Sequence, residues 1–302
     1  MQKTLYPPIP GSQHIGNKRF LQAGMLQYCC SVFLLDINPP LIYIIQPHKI
    51  YIFTWRKKMT FNQRTVVITG AAGKIGRALA KEFAAFGVKL FLTDIDMDKL
   101  NQFAGELSAS GADVHTYFMD VTQSASISSA SANILADAGH VDILVNNAGC
   151  WPKGTAIETS EEDWENIINL NLHSVFRLSR IFGIEMKKQK YGRIINLSSI
   201  AGICGLPGRC AYSVAKAAVI MLTKTMAMEL AKDGITVNSV SPGLIQNDHV
   251  PSNGTWLGYT GIGDDVAKAI VFLAADESGY ITGIDMPVDG GRILGPLNPV
   301  FK

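Results

Sequence analysis

The chain has 302 residues, of which 47% are apolar and 17% charged, enough material for one substantial core plus an appendage. A formal net charge of +2 is too small to mark a nucleic-acid-binding surface. The five cysteines (Cys29, Cys30, Cys150, Cys204 and Cys210) are odd in number and lack a CxxC spacing, which argues against a disulfide framework and a zinc site. Free thiols in a reducing, cytoplasmic compartment are the expectation, and no metal site is expected.

Charge is unevenly spread along the chain. Residues 1–58 hold seven Lys or Arg against a single acid, Asp36, whereas residues 59–302 hold 20 bases and 24 acids, a net of −4. Within the first stretch, the apolar run from Cys29 to Trp55 is broken by Asp36, Asn38, Pro39 and Pro40 and again by Gln46–Lys49. No uninterrupted span approaches the ~20 apolar residues that cross a bilayer, so no membrane partner is expected. The first 20 residues are polar and contain proline, unlike a secretory signal, and an amphipathic transit peptide fits poorly. Met59 reads either as a physiological start or as the junction with an appendage. The expected organisation is an N-terminal extension over 1–58, disordered or foreign to the domain, then one catalytic domain over 59–302.

From Thr65 onward, apolar β-branched runs alternate with longer amphipathic stretches. Strands are predicted at Thr65–Thr69, Lys89–Asp94, Val114–Phe118, Ile143–Asn146, Arg193–Leu197, Thr236–Val240 and Asp285–Val288. Helices lie between them, among them Ile75–Phe86 and one long helix over Glu161–Lys188. Strands apolar on both faces and separated by helices define an α/β fold: a doubly wound parallel sheet of about seven strands, of Rossmann type, with helices on both faces. Ligands of such sheets bind at the carboxyl ends of the strands, near the switch point.

A glycine turn follows the first strand directly: Thr69-Gly70-Ala71-Ala72-Gly73-Lys74-Ile75-Gly76. Glycines there permit the tight turn and the close approach of a pyrophosphate to the backbone, and the next helix aims its amide end at the phosphates. Asp94 closes the second strand. It is a candidate to bond the adenosine ribose hydroxyls and repel a 2′-phosphate, which favours NAD over NADP. Two observations leave this open. Asp94 could instead cap the following helix, and Lys74 in the turn could compensate an extra phosphate.

The ordered set of motifs resembles the short-chain dehydrogenase/reductase family over essentially all of residues 60–292. The set comprises the glycine turn, Asp120 after the third strand, Asn146-Asn147-Ala148-Gly149, Asn171, Ser199, Tyr212-xxx-Lys216 and Pro242-Gly243. The resemblance implies a nicotinamide cofactor, NAD favoured and NADP possible. Its implied contacts are Gly70, Gly73, Lys74, Ile75, Gly76, Asp94, Asp120, Val121, Asn147, Ala148, Gly149, Tyr212, Lys216, Pro242, Gly243 and Ile245. Asp120 and Val121 would hold the adenine, and Asn171 would hold a water relaying protons from Lys216 to solvent. The glycine turn departs from the family's commonest form, with glycine at 73 and Lys74 in the usual glycine's place. Pro287 in the last strand suits a sheet edge.

The chemistry of the catalytic residues follows from their types. Hydride transfer at a carbon requires proton transfer at the attached oxygen, and tyrosine with its pKa near 10 is a poor base unless a cation favours the phenolate. Tyr212 and Lys216 are four apart in a helical stretch and share a face, so Lys216 is expected to lower the Tyr212 pKa. Ser199 ends the fifth strand and would orient the substrate oxygen; its neighbour Ser198 competes for the role. With Asn171, which the resemblance implies, the expected catalytic set is Asn171, Ser199, Tyr212 and Lys216.

The expected activity is interconversion of a secondary alcohol and a ketone by NAD(P)(H)-dependent hydride transfer on a small-molecule substrate. Strong similarity to 3-oxoacyl-(acyl carrier protein) reductases, notably Asn171–Ser179, makes an NADPH-dependent reductase of that kind the second reading. Asp94, Asp233 and the net charge of −4 stand against it. A non-catalytic dinucleotide sensor or scaffold is a third reading; loss of Tyr212 or Lys216 would have supported it, and both are present. The pocket is expected between Trp151 and Pro152, Ala201–Cys210 and a lid over Leu244–Gly263 containing His249, Trp256 and Tyr259. The resemblance also implies a homodimer or homotetramer packed through the long helices and the edge strand.

Overall fold

In a computed structural model of the protein, residues 59–295 apart from Asn62 are described, together with four strands nearer the N-terminus. The chain separates into two compact units, residues 1–58 and 59–302. In the first, Phe20–Gln22, Ser31–Leu35, Leu41–Gln46 and Lys49–Thr54 pair antiparallel in sequence order. The remainder of residues 1–58, including Cys29 and Cys30, lies outside the described residues.

The second unit is built on seven strands, β1 (Thr65–Thr69), β2 (Lys89–Asp94), β3 (Asp113–Phe118), β4 (Ile143–Asn146), β5 (Gly192–Leu197), β6 (Ile235–Pro242) and β7 (Asp285–Val288). They lie in the order β7-β6-β5-β4-β1-β2-β3 and every pairing is parallel. The order reverses between β1 and β4, so the two crossovers leave these strands on opposite faces and open a crevice at their carboxyl ends. All seven predicted strands are present, with ends differing by at most two residues. Pro287 sits in β7, an edge strand, where its missing amide disrupts no outer ladder.

Side chains alternate between two buried clusters on the two faces of the sheet. Val66, Ile68, Ile143, Val145 and Ile195 point to one, against helices α1 (Lys74–Ala84) and, later in the chain, the helix over Gly263–Ala274. Val67, Leu144, Ile194 and Val237 point to the other, with Ile134, Leu178 and Phe182 from the helices there. Two-sided burial explains why these strands read as continuous apolar runs rather than alternating ones. The other helices are α2 (Met97–Ala109), α3 (Ser124–Ala138), α4 (Glu161–Ile168), α5 (Ser174–Gln189), α6 (Ile200–Cys204) and α7 (Cys210–Leu230); Gly263–Ala274 is α8.

The long helix expected over Glu161–Lys188 is not one regular helix. A π-helical segment, Asn169–His173, joins α4 to α5 and carries Asn171 at its centre. Residue types do not announce this, because a single π-turn is a change of backbone hydrogen bonding from i→i+4 to i→i+5 within an otherwise α-helical run. Among the described residues, no helix is long and apolar enough to cross a membrane.

Candidate active site

The first strand ends where the chain must turn sharply. Gly70 adopts φ +64°, and a Cβ there would meet the Ala148 Cα at 2.9 Å, so only glycine fits between the turn and the loop after β4. Gly73 precedes α1 as its cap residue and has no side-chain capping bond, leaving amides at the helix start open to an anion. Gly76 lies one turn on, where a Cβ would press into the Ala71 Cα at 2.7 Å. Asn147 stitches the turn to β4: its Nδ2 donates to the carbonyls of Thr69 (2.8 Å) and Gly70 (2.9 Å). The Thr69 hydroxyl in return accepts from the amides of Asn147 and Ala148.

Asp94, at the end of β2, faces this turn. Its Oδ2 accepts from the Ala72 amide (2.9 Å) and its Oδ1 from the Asp96 amide (3.0 Å). The cap of α2 is Asp96, which accepts from the Lys99 amide at 3.1 Å, so the capping role considered for Asp94 belongs to Asp96. Asp120 folds back on its own loop, its Oδ1 accepting from the Thr122 amide and hydroxyl.

At the other end of the crevice, Ser199 closes β5 and caps α6, its Oγ accepting from the Ala201 amide at 3.1 Å. The same hydroxyl lies near enough to the Tyr212 phenol to oppose the rise of its pKa. Ser198 is tied down, its hydroxyl donating to the Lys216 carbonyl at 2.9 Å, which leaves Ser199 as the serine at the phenol. Tyr212 lies in the first turn of α7, and Lys216 one turn further on, with its Nζ 5.8 Å from the Tyr212 ring centre. Lys216 is buried and donates to the Leu197 carbonyl at 2.7 Å.

Asn171 is fully buried. Its Nδ2 donates to the Ile167 carbonyl at 3.0 Å, whereas its Oδ1 has no partner within the described residues. A Cβ built on Gly149 would lie 2.8 Å from that Oδ1 and 3.5 Å from the Lys216 Nζ, so both polar atoms converge on the bare backbone of Gly149. An orphaned acceptor beside an ammonium with spare protons is a ready place for a hydrogen-bonded proton path.

Burial governs the titration here. It pushes the Tyr212 hydroxyl above its usual range, opposed by the Ser199 hydrogen bond and the charge of Arg209, with Cys150 reinforcing it. Lys216 is itself pulled down to about 8 by desolvation, and Arg209 is the cation that acts on the phenol. Burial likewise raises the Cys150 thiol.

All of these groups line one cleft of about 920 Å³. Of the expected site residues, Gly70, Gly73, Lys74, Ile75, Asp94, Asp120, Val121, Asn147, Ala148, Gly149, Asn171, Ser199, Tyr212, Lys216, Pro242, Gly243 and Ile245 are on its wall. Gly76 is not; it packs beneath the turn, where its lack of a side chain lets α1 approach β1. Trp151 is on the wall and Pro152 is not. Gln246, within the expected lid, lines the cleft; Cys150 and Arg292 line it without having been assigned to the pocket, and for Cys150 only its position after Gly149 could have signalled it.

The lid expected over Leu244–Gly263 is held by its own bonds. Ile245–Gln246 pairs with Gly261–Ile262, the Ser252 amide donates to the Gly258 carbonyl at 2.8 Å, and buried Thr255 and Thr260 anchor the loop. His249 bonds the Thr260 carbonyl at 2.7 Å and packs edge-on against Tyr259.

The glycine cradle, the open start of α1 and the carboxylate at the end of β2 fit a dinucleotide, and the tyrosine, serine and lysine beside it fit proton transfer at an alcohol oxygen. Comparison with known proteins agrees. Residues 64–258 match the family model described as short chain dehydrogenase. The 3-oxoacyl-(acyl-carrier-protein) reductase of Escherichia coli is 38% identical over 251 residues, which cover 78% of this chain and all of that protein. The BbsD subunit of a hydroxy(phenyl)methyl-succinyl-CoA dehydrogenase from Thauera aromatica is 37% identical over 246 residues, covering 78% of this chain and 99% of its own. A crystal structure of gox2181 superposes with a TM-score of 0.74 at 28% identity, covering 78% of this chain and 98% of that one. The chain belongs to the short-chain dehydrogenase family. It is an oxidoreductase acting on an alcohol or ketone group with a nicotinamide cofactor.

Proposed function

We propose that Tyr212 is the acid/base of this oxidoreductase, with Ser199, Lys216 and Asn171 as its working partners. The observation that carries the reading is that Ser199, Tyr212, Lys216 and Asn171 line one cleft, with the Lys216 Nζ 5.8 Å from the Tyr212 ring centre and the Asn171 Oδ1 unpaired among the described residues. In ketone reduction, Tyr212 gives its phenolic proton to the carbonyl oxygen while hydride adds to the carbon, yielding the alcohol and the oxidised nucleotide. In oxidation, the phenolate takes the hydroxyl proton as hydride leaves. Ser199 donates to the substrate oxygen and fixes its distance from Tyr212. Lys216, held by the Leu197 carbonyl, stabilises the phenolate once it forms, and Asn171 accepts from the chain of donors that returns a proton.

The nicotinamide group, when bound, supplies or accepts the hydride. Gly70, Gly73, Lys74, Ile75 and Gly76 would shape and bind the pyrophosphate end. Asp120 and Val121 would hold the adenine, and Asn147, Ala148, Gly149, Pro242, Gly243 and Ile245, with Tyr212 and Lys216, the nicotinamide end. NAD is the favoured nucleotide, because the Asp94 carboxylate stands where a 2′-phosphate would bring like charge. Lys74 and Lys99 on the same wall keep NADP a substrate of lower preference.

Reduction of a 3-oxoacyl group on a carrier protein is the second reading, favoured by the name of the Escherichia coli relative. Against it, Asp233 pairs with Lys187 and Lys190, neutralising basic groups that an acidic carrier would seek. The free protein is expected to be a cytoplasmic homodimer or homotetramer, supported by exposed Phe176 and Ile184 on α5 and Met221 and Met228 on α7. Residues 1–58 are assigned no part in the reaction. The test is to assay the full chain on a panel of alcohols and ketones with NAD and NADP forms, with Tyr212→Phe alongside. Turnover that disappears in the variant supports the reading; turnover that survives it contradicts it.

A further inference from the structure

The charges lining the cleft are sorted along its length. Towards the ends of β2 and β3, three carboxylates, Asp94, Asp96 and Asp120, accompany Lys74 and Lys99. The end containing Tyr212 holds Lys216, Arg209 and Arg292, and no carboxylate lines it among the described residues. Neither arginine forms an ion pair among the described residues. Each is instead anchored by a backbone carbonyl: Arg209 Nη1 donates to Trp151 at 2.8 Å, and Arg292 Nη1 to Gly254 at 3.1 Å. A guanidinium has five N–H donors, so each keeps most of its fork for another acceptor.

Both forks are held in place. The Arg209 guanidinium lies 4.8 Å over the Trp151 ring, and its backbone bridges Gly154 through the Cys210 amide and the Gly208 carbonyl. Arg209 is also the cap residue of α7, three positions before Tyr212. Arg292 opens the 3-10 turn after β7, which packs against α6, the helix that starts at Ser199. Two anchored cations therefore line the same cleft as Tyr212, together with the apolar side chains of Trp151, Leu206 and Leu244. Arginine fixed by stacking recognises carboxylate or phosphate with little further loss of freedom.

We propose that the substrate carries an anionic group, a carboxylate or a phosphate, beside its alcohol or ketone, and that Arg209 and Arg292 bind that group. The substrate class is then a hydroxy acid or oxo acid, or a phosphorylated equivalent, rather than a neutral alcohol or a thioester. The inference rests on the oxidoreductase reading above, and its test separates the two.

The full chain is assayed on a series of oxo acids, their methyl esters and phosphorylated ketones. The ratio of kcat/KM for the charged compound to that for its neutral counterpart is taken within each variant, so a partly misfolded sample does not alter it. The wild type is expected to prefer the charged member, and the ratio to fall about 10- to 100-fold in Arg209→Met and in Arg292→Met, as loss of a charge-assisted hydrogen bond implies. Arg209→Lys should restore part of it. Preference for the acid or for the phosphate identifies which anion is bound. Equal turnover of acid and ester, or a ratio that neither variant changes, overturns this inference and leaves the oxidoreductase reading intact. Turnover of no compound in any of the three series overturns both.

Discussion

The two ends of the cleft are built on different principles. The nucleotide end is made mainly of main chain: a positive-φ glycine, the start of α1, and backbone amides turned towards Asp94. The reaction end is made of side chains brought from β5, α7 and the π segment, each set by burial and by one or two hydrogen bonds. Steric necessity fixes the first, so a single methyl group breaks it. Electrostatic balance fixes the second, so a single atom or proton alters it while the fold stands.

The largest effect should come from the reaction end. Tyr212→Phe removes one oxygen and keeps the ring, so nucleotide binding should persist while kcat falls by about 10²–10⁴, the usual worth of a positioned acid or base. Steady-state kinetics together with a nucleotide titration would check this. A variant that lost nucleotide affinity while keeping kcat would mean the tyrosine serves nucleotide binding rather than proton transfer.

At the nucleotide end, Gly76→Ala should drive a Cβ into the backbone of Ala71. Overpacking of this kind costs about 1–3 kcal/mol, so nucleotide affinity, read by calorimetry, should weaken about 10- to 100-fold. Because the glycine is not on the cleft wall, undiminished affinity would show that the turn yields more readily than the geometry implies.

Lys216 links stability to pH. Its pKa is about 8 when folded, against 10.5 when exposed, a difference worth about 3 kcal/mol at 1.36 kcal/mol per unit. Below pH 8 both states are protonated and the folded protein bears the full cost of the buried charge. Between pH 8 and 10.5 the unfolded chain binds the extra proton, so stability from this group rises with pH. Lys216→Met should therefore stabilise the fold most below pH 8, with the gain over wild type shrinking towards pH 10.5, as denaturant titrations at several pH values would reveal. A gain independent of pH would mean that the lysine is neutral or well paired throughout.

The smallest effect should be the most selective. Asp94→Ser removes the carboxylate next to the glycine turn and should move the preference between NAD and NADP towards NADP about 10-fold, an ordinary value for one partly buried charge contact. Comparing kcat/KM for the two nucleotides would test this, and an unchanged ratio would move the discrimination to Lys74 or Lys99.

The same division decides what could be read from the residues alone. Strand positions were legible because two-sided burial forces unbroken apolar runs such as Val66–Ile68 and Ile143–Val145. The nucleotide end was legible because few residues other than glycine tolerate the backbone at Gly70 or the contact at Gly76. The reaction end was legible as a list of residues but not as a balance of forces. Nothing in the spacing of Tyr212 and Lys216 discloses that burial raises the phenol and lowers the lysine, or that Arg209, from outside the pair, lends its charge to the phenol. The π segment around Asn171 was hidden for a related reason, since a local change in backbone hydrogen bonding is not announced by residue type. Arg292 is 83 residues beyond Arg209 and enters the cleft only because β7 lies beside β6 in the sheet.

The central claim is that a buried tyrosine, held in its protonated form, exchanges the proton of the reaction. The most direct test is the pH dependence of kcat/KM for ketone reduction and for alcohol oxidation on the same substrate pair. With the Tyr212 pKa raised by burial, reduction should hold steady through neutral pH and decline only in alkali, while oxidation should climb as the pH rises. An oxidation rate that levels off in the acid-to-neutral range, and that keeps its profile in Tyr212→Phe, would contradict the account and place the proton on another group.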